Sequence, residues 1–133
     1  RFQIVTKGVG TATSDELRAA LGEAEIVLAT AVAGVQVVSR DDLAHARHLL
    51  IAADVNAVPP EGIAGVNVMN DGKPIDGVPT AGGAIGIGAL AIGNVKYQVE
   101  HRLFTRMRTG GKPVYLSFPQ AFDEARAVAA GLG

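Results

Sequence analysis

Two polar side chains follow an apolar run near the middle of the chain. The run covers residues 49–53, Asp54 and Asn56 come directly after it, and Pro59 and Pro60 then prevent any further strand or helix. This pattern predicts a buried parallel strand that ends at the sheet edge where open α/β sheets bind ligands. A capped strand followed by a polar turn would look the same, so the residues alone leave both interpretations open.

Two glycine-rich segments match parts of a dinucleotide phosphate loop. Gly8 and Gly10 lie between a predicted strand and a predicted helix, but Thr13 occupies the third glycine position and no acidic residue closes a second strand about 20 residues later. Gly86 and Gly88 lack a convincing strand before them. We interpret neither segment as a pyrophosphate loop. At a helix entry, Gly86 and Gly88 would allow either close approach of a flat ligand or tight packing.

Two histidines and a lysine are candidate ligand-binding residues. His45 and His48 are close to metal-ligand spacing, but they lie in a predicted exposed helix, and we assign them to its solvated face, with no metal site. Lys96 lies about two turns into another predicted helix, where most lysines are ordinary surface residues. Cysteine is absent, which excludes thiolate chemistry and fits a reducing cytoplasm.

Alternating strands and helices position these residues. We predict strands at residues 2–6, 25–30 and 49–53, with helices through 13–21 and from 39–43. Helical connections of this length indicate right-handed βαβ crossovers in a parallel sheet.

After Pro60 the sequence predicts an irregular region, followed by helices. Residues 62–79 should be irregular with one short strand at 65–69, and residues 78–95 should form a loop that leads into a helix over 89–107. The buried stripe of that helix is predicted to be Ile92, Val95, Val99, Leu103 and Met107. Residues 113–118 should be extended and residues 121–130 helical.

Composition limits the class of protein. The 133 residues suit one domain, or part of one, and the chain is 48% hydrophobic with only 5% aromatic residues, as in parallel sheets packed against helices. The net charge of −1 and the lack of a basic stripe argue against nucleic-acid binding. The uncharged residues 78–95 contain too many small residues for a membrane span. Because the chain opens on Arg1, we expect the natural protein to begin upstream.

Several blocks of residues are long and compositionally unusual. They are Ala-Asp-Val-Asn-Ala-Val-Pro-Pro at 53–60, Gly-Ile-Ala-Gly at 62–65, Gly-Ala-Leu-Ala-Ile-Gly-Asn-Val-Lys-Tyr-Gln at 88–98, Arg-Leu-Phe at 102–104 and Arg-Met at 106–107. These blocks closely resemble the NAD(P)-dependent methylenetetrahydromethanopterin dehydrogenases of bacterial one-carbon metabolism. The resemblance extends from Arg1 to the last predicted helix.

The resemblance implies that the chain is the carboxyl-terminal half of such an enzyme. Its fold would be α/β, an incomplete Rossmann-like parallel sheet with flanking helices. Residues 1–88 would form the later half of the dinucleotide-binding domain, and residues 89–133 a closing helical segment that returns toward an absent amino-terminal catalytic domain. The family's glycine fingerprint and ribose-reading residue are not in this sequence, so NAD and NADP are not distinguished. A pterin substrate, a homo-oligomer and a cytoplasmic location are also implied.

The resemblance also assigns site residues. Cofactor-binding positions would be Thr30, Ala31, Val32 and Gly34 after one strand, Asp54 and Asn56 after the next, and Gly86 and Gly88 beside the nicotinamide. Lys96 matches a lysine that faces the pterin. No catalytic acid or base is implied, because hydride loss from a methylene bridge between two nitrogens gives a cation that those nitrogens stabilise, and the site must mainly supply orientation.

Two alternatives remain open. A methylenetetrahydrofolate dehydrogenase has a comparable strand end followed by a Pro/Gly-rich segment. A noncatalytic dinucleotide-binding or assembly module would fit the lack of a complete phosphate loop.

Overall fold

The structure is a computed structural model in which residues 4–131 are described. Within that range the elements are, in chain order, α1 (Ser14–Glu23), β1 (Ile26–Ala29), α2 (Arg40–Leu43), β2 (Ile51–Asp54), β3 (Asp71–Ile75), β4 (Ala84–Ile87), α3 (Ala89–Thr109) and α4 (Phe118–Ala129). The chain divides into two compact units, Arg1–Ala89 and Leu90–Gly133.

The first unit contains a sheet in the order β1-β2-β4-β3. The first three of these strands are parallel, and β3 runs antiparallel to β4 at the far edge. A mostly parallel open sheet flanked by helices confirms the predicted α/β, partial Rossmann-like fold. The strand predicted at 49–53 is internal to the sheet, as expected, although its regular part is shifted to Ile51–Asp54.

One face of this sheet packs against α1 and α2. Ala29, Ala52 and Ala84 form the sheet side of the core, and Leu21 and Leu43 contribute from the two helices. Small side chains on the strands let the helices pack closely, and the burial of the two leucines contributes to the hydrophobic stabilisation of this core.

Helix α1 begins where its sequence predicts. The Thr13 hydroxyl accepts a hydrogen bond from the Glu16 backbone amide at 3.3 Å, and the Glu16 carboxylate accepts one from the Thr13 amide at 3.0 Å. This reciprocal capping box satisfies two amides that the first helical turn leaves without partners.

The opposite face of the sheet is apolar and partly exposed, most of all along β1. The pairing register places six side chains on it, which we call the open face: Ile26, Leu28, Ile51, Ala53, Ile85 and Ile87. Ile26 is 59% exposed and Leu28 is 68% exposed. Both belong to β1, which is also an edge strand. Parallel sheets are normally covered on both faces, so this exposure is unusual.

One strand prediction was wrong in position, and one strand was not predicted. The strand expected at 65–69 lies at Asp71–Ile75, because residues 65–69 turn instead: Gly65 has φ +83° and the Asn67 side chain accepts a hydrogen bond from the Met69 amide. Strand β4 lies within the segment predicted to be a loop. Its glycine fits a buried strand because a neighbouring side chain occupies the space of a Cβ.

The chain termini also differ from prediction. Residues 4–6 form no strand, and the predicted strand's first two residues, Phe2 and Gln3, lie outside the described range. Residues 113–117 are irregular, and α4 begins at Phe118, three residues earlier than expected, with a proline in its first turn.

The second unit consists of α3, from Leu90 onward, and α4. The long helix predicted at 89–107 is confirmed, but its predicted stripe is only partly buried: Val99 is buried, whereas Met107 is 52% exposed. Glu124 of α4 pairs with Arg106 at 3.1 Å and with Arg102 at 3.9 Å. Among the described residues, no helix has the length and hydropathy needed to span a membrane.

Candidate functional site

The loops that follow β1 and β2 meet at the carboxyl edge of the sheet. The Gly34 backbone amide donates a hydrogen bond to the Asn56 side-chain oxygen, Oδ1, at 3.2 Å. The two loops that the resemblance assigns to the cofactor site are therefore in direct contact. This contact follows from parallel pairing of β1 with β2, because parallel neighbours end at the same sheet edge.

The Asn56 carboxamide is engaged at both ends. Its Oδ1 accepts a second hydrogen bond from the Val58 amide at 3.0 Å, and its Nδ2 donates to the Pro60 carbonyl at 2.8 Å. The residue is only 8% exposed. The side chain thus ties together both ends of its own loop and the end of the loop after β1.

The Asp54 side chain is buried, with the residue 1% exposed, and its carboxylate accepts hydrogen bonds from backbone amides. One oxygen accepts a hydrogen bond from the Asn56 backbone amide at 2.9 Å. The other accepts hydrogen bonds from the Gly62 and Ile63 amides at 2.7 and 3.1 Å. Charge-assisted hydrogen bonds of this kind are stronger than neutral ones, so they compensate for burying the charge. Asp54 thereby closes the loop of residues 55–61 against the end of β2.

A cleft of about 290 Å³ lies beside this loop. It is lined by Gln36, Asn56, Ala57, Val58, Pro59, Pro60, Glu61, Asn67 and Val68. None of these described lining residues is basic, and the Glu61 carboxylate accepts a hydrogen bond from the Gly65 amide. Phosphate groups are usually held by Arg, Lys or helix amino termini, so the lining suits an uncharged or cationic part of a ligand.

Gly86 and Gly88 fit tightly against the chain itself. A Cβ at Gly88 would lie 2.2 Å from the Asn67 carbonyl oxygen, and one at Gly86 would lie 2.9 Å from the Asn70 side-chain nitrogen. The tight-packing interpretation of these glycines therefore has direct support. Their predicted place beside a nicotinamide stays a prediction.

The other predicted cofactor residues lie around the end of β1. Thr30, Ala31 and Val32 follow the strand directly and are exposed, and Gly34 ends the loop with φ +76°. These exposed groups are accessible to a ligand from solvent. Their predicted cofactor contacts remain predictions.

Lys96 lies on α3 in the second unit. Its side chain is 73% exposed and its Nζ is 3.8 Å from a Glu100 carboxylate oxygen, one helical turn further on. An exposed ion pair of this kind contributes little to stability, so the ammonium can exchange Glu100 for another anionic or polar partner at low cost. Its predicted contact with a pterin remains a prediction.

The two histidines lie in turns after α2, which is only four residues long, rather than in a helix. Both are exposed. Across residues 4–131, no three histidine or carboxylate side chains come close enough together to hold a metal ion.

A carboxyl group with a displaced pKa lies at the start of α2. The hydrogen bond from the Ser39 hydroxyl lowers the pKa of Asp42 below its usual value, and Arg18 of α1 lowers it further; burial opposes both effects. The Arg18 Nε is 2.9 Å from the Asp42 carboxylate. This pair joins α1 to α2 and is structural.

The hydrogen bonds within this loop support the polar-turn interpretation, which the residues alone left open. Asp54 and Asn56 each accept a hydrogen bond from the backbone amide two residues later. This is the usual local habit of Asp and Asn, so their spacing could have indicated it. The lining residues Gln36 and Glu61 carried no comparable signal.

Comparison with known proteins confirms the resemblance. The chain is 43% identical over 129 residues to the NAD(P)-dependent methylenetetrahydromethanopterin dehydrogenase of Methylorubrum extorquens. The match covers 97% of this chain and 42% of that enzyme, so the chain spans less than half of the relative's length. No protein-family model matches the chain.

Proposed function

We propose that this chain forms part of an NAD(P)-dependent methylenetetrahydromethanopterin dehydrogenase, which transfers a hydride from the pterin methylene group to the dinucleotide. The identity to the Methylorubrum enzyme over nearly the whole chain carries the proposal. The joined loops at the carboxyl edge of β1 and β2 support it, because this edge is where open α/β sheets bind ligands.

The cleft beside the loop after β2 suits the nicotinamide end of the dinucleotide. Its described lining has apolar side chains and amide groups but no basic residue, so it can accommodate a flat ring and its carboxamide better than a pyrophosphate. When bound there, the nicotinamide would supply the hydride acceptor. The phosphate-binding groups would come from residues outside this chain.

The chain's own contribution to the reaction would be orientation. Hydride transfer requires the donor and acceptor carbons to be held close and aligned, and the product cation needs no proton from the protein. Exposed Val32 and the backbone of residues 56–60 would bound the ring. Lys96 would anchor a polar part of the pterin, because a cation close to the reacting carbon would oppose the developing positive charge.

The open face and the free edge of β1 point to a further partner. We propose that residues equivalent to the rest of the relative's length, including an amino-terminal domain, cover them. Burial of Ile26 and Leu28 by such a partner would remove exposed apolar surface, at about 25 cal/mol per Å² buried. We also propose that the assembled enzyme is a homo-oligomer and acts in the cytoplasm.

A chimeric enzyme tests the function. The matched 129 residues of the Methylorubrum enzyme are replaced by this chain, and reduction of NAD and NADP is measured with methylenetetrahydromethanopterin as the donor. We expect a dinucleotide-reducing enzyme. Circular dichroism melting against the parent enzyme reports folding, and a folded chimera without activity would refute the proposal.

The same chimera separates the alternatives. Faster turnover with methylenetetrahydrofolate than with the methanopterin donor would favour a folate dehydrogenase. Dinucleotide binding without hydride transfer from either donor would favour a noncatalytic module.

A further inference from the structure

We infer that Asn56 is a positioning residue, which holds the loops after β1 and β2 together and so sets the placement of a dinucleotide in the cleft beside them. The inference rests on the proposed function for its catalytic consequence. Its structural part, the connection between the loops, stands on the contacts alone.

The first step is the saturation of the Asn56 side chain. The carboxamide oxygen has two lone pairs and accepts two hydrogen bonds, from the Gly34 and Val58 amides. The nitrogen donates to the Pro60 carbonyl. With 8% of the residue exposed, most of its hydrogen-bonding capacity is used within the protein rather than being offered to a ligand.

The second step is the rigidity of what Asn56 joins. Its own backbone amide is held by the buried Asp54 carboxylate. On the other side, Gly34 has φ +76°, and a Cβ there would come within 3.6 Å of the Pro59 carbonyl oxygen. The two loops are therefore in close contact at this point, and Asn56 bonds one to the other. Further along, the Gln36 side chain donates a hydrogen bond to the Glu61 carbonyl at 3.4 Å, and the Val37 and Val38 amides donate to the Gly62 carbonyl.

The third step is the sensitivity of the proposed reaction. A misplacement of about 1 Å can lower the rate of a positioned reaction on the order of a hundredfold. Loss of the Gly34 contact would loosen the loop that carries Ala31 and Val32 and that leads to Gln36, which lines the cleft. We therefore expect Asn56 to act mainly on kcat, through the spacing of the loops.

Two substitutions at this position separate the contacts. Asn56→Ala removes all three hydrogen bonds. Asn56→Asp keeps both acceptor contacts, with Gly34 and Val58, but places a carboxylate oxygen against the Pro60 carbonyl oxygen, which costs stability without removing the Gly34 contact. Thr13→Ala serves as a destabilising control, because it removes the capping box of α1, whose two hydrogen bonds join Thr13 to Glu16.

The test measures hydrogen exchange and kinetics on the chimeric enzyme. In Asn56→Ala we expect faster exchange in peptides that contain Gly34, and a kcat lower by about tenfold to a hundredfold. In Asn56→Asp, exchange at Gly34 should stay slow, and kcat should lie closer to that of the unsubstituted chimera than the kcat of Asn56→Ala does. In Thr13→Ala, melting temperature should fall while kcat and Gly34 exchange stay unchanged.

Three outcomes would overturn the inference. They are unchanged exchange at Gly34 in Asn56→Ala, faster exchange with unchanged kcat, and a loss of kcat without faster exchange, which would indicate direct ligand contact. If the parent chimera itself is folded but inactive, the proposed function fails independently, and the exchange data alone still decide whether Asn56 connects the loops.

Discussion

The Asp54 carboxylate accepts three amide hydrogen bonds in a site with almost no solvent access. In Asp54→Asn the side-chain NH₂ group would face at least one of these amide donors and leave a buried N–H without a partner. We expect the free energy of unfolding to fall by about 1–3 kcal/mol. Urea denaturation measures this, with exposed Asp71→Asn as the control, expected within about 0.5 kcal/mol of the parent. Equal stabilities for the two variants would contradict the assignment of the Asp54 carboxylate as the acceptor of three buried hydrogen bonds.

Asp42 gives a pH dependence with a defined sign. Its pKa is lowered in the folded chain by the Ser39 hydroxyl and Arg18, so its contribution to stability is present above the unfolded value of 3.8 and is lost as pH falls through the lower folded value. Asp42→Asn should therefore be less stable than the parent at pH 7, and the difference should shrink below about pH 4. A difference that stays constant down to pH 2 would refute this.

Lys96 is the most specific ligand-binding prediction in the chain. In Lys96→Met the aliphatic stem stays and the charge is lost, so stability should change by less than about 0.5 kcal/mol. In the chimeric enzyme we expect a higher KM for the pterin or a lower kcat, with the KM for the dinucleotide unchanged. Exposed Lys112→Met is the control. Unaltered pterin kinetics would return Lys96 to an ordinary surface role.

The junction between β4 and α3 depends on a glycine. In Gly88→Ala the new methyl group would lie 2.2 Å from the Asn67 carbonyl and 2.6 Å from the Val68 carbonyl, both of which are backbone atoms. We expect a destabilisation of about 1–3 kcal/mol or more, since the backbone must shift.

Gly93→Ala is the matched control for this prediction. Gly93 lies in α3 and has open space around it, so alanine there should stabilise the helix by up to about 1 kcal/mol. Thermal unfolding of both variants measures the contrast. A stable Gly88→Ala variant would show that the junction is looser than described.

Periodicity and end signals made most elements predictable from the sequence. Helix α1 follows from its capping box, and α3 from its apolar stripe. Strand β4 was missed because its two isoleucines lie within a glycine-rich segment that is typical of a loop, and its strand character comes from pairing with β2 and β3. The meeting of the two loops was predictable from strand order. The internal use of Asn56 was not predicted, because hydrogen-bond partners distant in sequence depend on the tertiary fold.

The open face concerns the molecule as a whole. A sheet with Ile26 and Leu28 exposed on an edge strand offers both apolar surface and unpaired backbone groups. We expect the isolated chain to self-associate, and Leu28→Lys to reduce that association in light scattering. In the chimeric enzyme the same substitution should lower the melting temperature, because the lysine would be buried by the partner domain.

Met69→Lys is the control for this prediction. It adds the same charge at an exposed residue in the turn before β3, away from the open face. Its effect on the melting temperature of the chimera should be small. If Leu28→Lys were equally harmless there, the open face would not be the surface that the partner covers.

The contact between Gly62 and Asp54 limits how the two positions can change in evolution. A Cβ at position 62 would lie 2.8 Å from the Asp54 carboxylate oxygen, so no codon other than one for glycine is easily accepted at 62 while aspartate is inherited at 54. A lineage could diversify position 62 only after losing the carboxylate, and that loss leaves the loop of residues 55–61 without its anchor. We therefore expect positions 54 and 62 to change together or not at all. In a library that randomises both positions, the viable variants should be confined to a narrow set of double substitutions.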